Sequence, residues 1–106
     1  MTPEDKAIIA EYMGWFKHIY FCKYDEPIYF QEGVAGDIVF DLNDAGLCVE
    51  KMNDDSGCEW EHFYQQSMSD FAVMKRKGIS QQEFVAWLFN ADNFFQAMTQ
   101  WLRRRK

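Results

Sequence analysis

The 106-residue sequence predicts an α+β fold in a single domain, 1–106: an antiparallel sheet of three or four strands covered by N- and C-terminal helices. Three observations predict it. In residues 80–106, Phe84, Leu88, Ala91, Phe95, Met98 and Leu102 follow one another in steps of four and three, the period of one helix face, and Phe94 and Trp101 widen the stripe. Near the N-terminus Ile8, Tyr12, Trp15 and Ile19 repeat that pattern, with Ile9 and Phe16 beside them. Between the two lie short β-rich runs and one strict alternation, which supply the flat apolar surface that such aromatic helix faces need.

The first helix opens at Thr2-Pro3-Glu4-Asp5, where a hydroxyl cap, a proline at the first helical position and acids in the first turn agree. The periodicity carries it to about Ile19, and Gly14 in its middle, about 1 kcal/mol worse than alanine, points to close approach of another backbone. Runs 27–30 and 37–40, on either side of Gly33 and Gly36, read as a loose hairpin. Asn43 or Asp44 then caps a short helix through Leu47, Cys48, Val49 and Met52, which the polar cluster 53–57 ends. Residues 58–64 alternate, with Cys58, Trp60, His62 and Tyr64 on one side and Glu59 and Glu61 on the other, so they read as a strand with one wet face. Its antiparallel neighbour is 71–74, before the turn at 75–78. Ser80 and Glu83 form a capping box, and Ile79 is placed to staple onto Phe84. The polar run 90–93 divides the closing stretch into two helical pieces, about 80–89 and 91–104.

Composition narrows the function classes. With 48% hydrophobic and 18% aromatic residues the chain holds a real core. A net charge of −6 argues against nucleic acid or anionic lipid as partner, and the run Arg103, Arg104, Arg105 and Lys106 complements a helix C-terminus and solvates it. No apolar run reaches the roughly 20 residues of a membrane span, and the polar N-terminus is unlike a signal peptide. Cys22, Cys48 and Cys58, an odd number without tight spacing, fit reduced thiols in a cytoplasm.

Chemistry finds few footholds. His18 with Cys22 and Cys58 with His62 are two pairs of ligand types four apart, and together they match the donors of a tetrahedral zinc site. On a strand, residues four apart lie about 13 Å from each other, too far to share one ion. A zinc-stabilised binding module is therefore the alternative reading, and no cofactor is expected. For a small enzyme, Cys58 or Cys48 with His18 or His62 supplies the nucleophile and base of a Cys/His pair, but the sequence has no local signature for it and no nucleophile elbow, phosphate loop or dinucleotide fingerprint. A calcium loop begun at Asp41 fails at Ala45 and Met52, where ligands are required.

Met13-Gly14-Trp15 and Leu47-Cys48-Val49-Glu50-Lys51-Met52, the latter followed by the alternation at 58–64, resemble pieces of the small α/β/α sandwich domains of phages and bacterial prophages. The resemblance implies helices on both faces of an antiparallel sheet and a mobile-element origin, and it brings no catalytic residue. The expected role is that of a small accessory protein, not an enzyme, acting through a protein partner or self-association. Trp87, Phe89, Phe94 and Trp101 are the candidate partner-binding residues.

Overall fold

The computed structural model describes residues 1–23, 26–54 and 58–105, with the backbone alone for 18–23, 26 and 58. Helix α1 (Pro3–Met13) opens on a complete capping box: the Thr2 hydroxyl accepts the Asp5 N–H at 3.2 Å and the Asp5 carboxylate accepts the Thr2 N–H at 3.2 Å. It ends at Met13, not at about Ile19. Gly14 takes a left-handed φ of 73° and caps the helix, while its neighbour Trp15 donates its N–H to the Ala10 carbonyl at 2.9 Å. A Cβ built on Gly14 would meet nothing within 4 Å, so this glycine serves the helix stop and not a close approach.

The chain leaves that stop as strand β1 (Phe16–Lys23), which pairs antiparallel with β2 (Glu26–Phe30); Phe16 faces Phe30, Lys17 faces Tyr29, and the register shifts between His18 and Cys22. Run 27–30 thus pairs with the segment before it. Of run 37–40 only Ile38 joins, through one bridge in which its N–H donates to the Tyr29 carbonyl at 2.8 Å.

The remaining elements are helices: α2 (Leu42–Asp54), α3 (Cys58–Lys75), α4 (Gln81–Leu88) and α5 (Ala91–Arg104). The expected α+β sheet of three or four strands is therefore corrected to five helices and one two-stranded sheet among the described residues. Both strands placed at 58–64 and 71–74 are parts of α3. Their alternation spans too few residues to separate periods of 2 and 3.6. The full length does separate them: Phe63, Ser67 and Phe71 recur every four residues and are all buried, and the supposed turn between the runs holds neither glycine nor proline. The apolar surface that the terminal helices require comes from other helices instead of a sheet.

The division of the closing stretch into two pieces is present. The Ser80 hydroxyl accepts the Glu83 N–H at 3.1 Å to open α4, and the Asn90 side chain accepts the Asn93 N–H at 3.2 Å to open α5. Helix α5 touches each of the other four helices. It buries Phe94, Phe95, Ala97, Met98, Thr99, Trp101 and Leu102, more than half of its circumference.

Around α5 the rings meet edge to face in one continuous chain. Tyr12 meets Trp101 at 5.8 Å, Trp101 meets Phe63 at 5.5 Å, Phe63 meets Phe94 at 5.5 Å, and Phe95 meets Phe40 at 5.3 Å. Phe40 then holds Trp15 and Tyr29, which anchors the base of the hairpin to the helical body. Phe40 itself adopts a φ of 59°, a conformation that side chains disfavour. The nearly buried Asp44 carboxylate secures it, accepting the N–H groups of Val39 and Phe40 at 2.8 Å each while the Asp44 N–H donates to Asp41 at 3.0 Å.

Candidate functional site

Helix α2 turns Ala45, Cys48 and Met52 into the core, and Leu42, Gly46 and Val49 lie on the adjoining stripe. Across from them stand Trp60 and Tyr64 of α3 and Val85, Leu88 and Phe89 at α4 and its C-cap, with Phe94 of α5 as the floor. These residues enclose an apolar groove of about 280 Å³. Two local features open it. Gly46 has no side chain and nothing within 4 Å of its would-be Cβ, so α2 leaves space where most residues would fill it. The break between α4 and α5 places Phe89 at a helix end, where it is 75% exposed.

Leu42 (47% exposed) and Val85 (37%) join Phe89 on the lip. A hydrogen bond from Gln81 Nε2 to the Tyr64 hydroxyl, 3.1 Å, ties α4 to α3 at one end of the groove. The described charges beside it on its wall helices are acidic. Glu50 follows Gly46 by one helical turn and Glu61 adjoins Trp60, and both are exposed. The three wall helices contain only two Lys or Arg residues, Lys51 and Lys75, and both are turned elsewhere: Lys51 lies 5.1 Å over the Tyr12 ring and Lys75 lies 5.5 Å over the Phe71 ring.

The four candidate partner-binding residues divide between places. Phe89 and Phe94 belong to the groove, one on its lip and one in its floor. Trp87 is half-buried on the opposite side of α4, stacked on Phe71 at 5.0 Å, and lines a smaller cavity of about 230 Å³ with Ser67, Met74 and Ala97. Trp101 lies in the core, 2% exposed. Sequence reasoning did not place Leu42, Gly46, Val49 or Val85 at a site; the spacing of 42, 46 and 49 on a helix was the available signal, although nothing in it says which element faces them.

Of the alternative zinc ligands, the side chains of His18, Cys22 and Cys58 lie outside the described residues. His62 is on a helix, not a strand, and its Nδ1 accepts the Trp101 indole N–H at 2.9 Å, which occupies one of its two nitrogens. No group of three or more His, Cys, Asp or Glu side chains gathers as a metal site among the described residues. Cys48 is fully buried, and burial, with the nearby Asp44 charge as a second cause, pushes its thiol far above the usual range. It is thereby removed from the thiolate chemistry that a nucleophile needs.

The basic C-terminal end is tied down. Arg103 pairs with Asp5 of α1 at 2.7 Å, Arg104 with Asp70 of α3 at 2.8 Å, and Arg105 with Glu59 of α3 at 2.7 Å. Arg105 also lies 4.8 Å over the Trp101 ring, and the Tyr12 hydroxyl donates to the same Glu59 carboxylate. No helix among the described residues is long and apolar enough to cross a membrane. No family model, curated protein or solved structure matches the chain.

Proposed function

We propose that the protein acts by protein–protein recognition, with the groove between α2, α3 and α4 as its docking surface. The observation that carries this reading is Phe89, a phenylalanine 75% exposed on the lip of an apolar groove already lined by Leu42, Val49, Trp60, Tyr64 and Val85. Each 100 Å² of such surface left in water forgoes about 2.5 kcal/mol of burial, which a partner recovers on docking. The engaged state of the C-terminal arginines, together with the net charge of −6, supports a protein partner over a nucleic acid. A cytoplasmic setting belongs to the same proposal, supported by the cysteine usage alone. So does a phage or prophage origin, which rests on the two short stretches that resemble those domains.

Site-specific photocrosslinking in the native host tests the reading. A benzoylphenylalanine in place of Phe89 is expected to give a discrete heavier adduct, and the same residue in place of Val73, which is 74% exposed on α3, is expected to give none. Equal labelling at both positions, or none at 89, sinks the docking reading.

A further inference from the structure

We infer that the groove is built for one kind of occupant, a short amphipathic α-helix whose apolar stripe is flanked by Lys or Arg. The inference rests on the docking reading above and narrows it by three observations.

The first is the backbone of the walls. All three are helices, whose internal N–H and C=O groups are already paired, so no strand edge is offered to an incoming chain. An extended peptide would bury its own backbone polar groups against apolar side chains without partners. A helix satisfies its backbone internally and presents only side chains.

The second is size. At about 30 Å³ per water-sized group, the 280 Å³ groove takes about two leucine-sized side chains, the anchors one helix face supplies at i and i+3 or i+4.

The third is charge. Glu50 and Glu61 stand at the outer borders of α2 and α3, neither forms a salt bridge among the described residues, and the two wall lysines face other rings. Cations flanking the apolar stripe of a docked helix meet those two acids. A second copy of this chain, docked symmetrically, would oppose the same acids to themselves, and three of its four described arginines, Arg103, Arg104 and Arg105, are each paired with an acid of their own chain.

The test uses the purified full chain and three synthetic helical 16-mers. The first carries a leucine stripe flanked by lysines, the second the same stripe flanked by glutamates, and the third has the stripe leucines replaced by alanine. Fluorescence anisotropy is expected to show binding of the first alone. Gly46→Leu, which fills the groove without changing charge, is expected to weaken it about tenfold or more. The double substitution Glu50→Lys with Glu61→Lys is expected to weaken the lysine peptide about threefold to fivefold per charge and to strengthen the glutamate peptide.

If the lysine and glutamate peptides bind equally, or if Gly46→Leu leaves the affinity unchanged, the inference is overturned. Failure of all three peptides up to millimolar concentration overturns it as well. A dimer detected by light scattering and abolished by Phe89→Ser would replace the cationic helix by a second copy. In each of these cases the crosslinking result at position 89 still decides the docking reading by itself.

Discussion

Two aromatic surfaces of this molecule are treated in opposite ways. Where α1, α3 and α5 meet, Tyr12 and Trp101 lie beneath the Arg105 guanidinium, which Glu59 holds in place, and two further arginines clamp the same helices. Where α2, α3 and α4 meet, Trp60, Tyr64 and Phe89 border a groove whose wall helices, among the described residues, lay no cation over it. Both surfaces are rich in rings, and only one is finished. A charged side chain laid over an aromatic face removes it from the surfaces a partner can use, whereas a helix broken at Phe89 keeps one available.

The sharpest way to test this contrast is to remove one ring from each side. Trp101→Ala deletes a buried indole with edge-to-face partners in Tyr12 and Phe63 and its hydrogen bond to His62 Nδ1, so it should cost about 3–5 kcal/mol in urea denaturation. Phe89→Ala should change stability by no more than about 0.5 kcal/mol. Comparable losses would mean that Phe89 is a structural ring and the groove a packing defect.

Titration separates the two surfaces next. Burial, and after it the hydrogen bond and charge of Glu59, push the Tyr12 phenol above its ordinary range, and burial pushes Cys48 the same way. Both groups hold their protons more tightly folded than unfolded. Their contribution is therefore fully present below the unfolded values, about 8.5 for the thiol and about 10 for the phenol, and is lost as the pH rises above them. The urea midpoint should fall from about pH 8.5 upward and faster above about pH 10. Tyr12→Phe should remove the second decline and Cys48→Ala the first. Gly46→Leu in the groove should leave the shape of the profile unchanged, and a changed shape would show that the two surfaces are coupled.

The same contrast explains what could be read in advance. The closing stretch was legible as two helices because its breaks are written in side chains that cap backbones locally, Ser80 before α4 and Asn90 before α5. Helix α3 was not, because seven residues of alternation with Glu59 and Glu61 on one side also describe acids in the first turn of a helix. The periodicity overstates the length of α1 for a related reason: Trp15 and Ile19 fit the helical period, but Gly14 offers a left-handed stop that ends it. The groove was hidden more deeply. Its walls come from positions as far apart as Leu42 and Phe89, so its existence depends on how helices meet around α5, which no local pattern encodes. Phe89 and Trp101 read alike in the sequence, and only the capped break distinguishes a ring at a helix end from one in the middle of a buried face.

The smallest expected effects test the contrast from the two lids themselves. Arg105→Gln removes a cation from over Trp101 and Tyr12 and an ion pair with Glu59 in which both side chains are partly exposed, so the loss should be about 0.5–1.5 kcal/mol and should shrink in 1 M salt. Gly46→Leu adds a lid where none exists. It replaces a helical glycine at a φ open to other residues and extends into empty space, so it should raise stability by about 0.5–1 kcal/mol from helix propensity alone, with no salt dependence. A gain of that sign from filling the groove would mean that the fold does not need the gap. The glycine then leaves stability unused at the place where a partner would enter, which is the pattern of a surface kept open for binding.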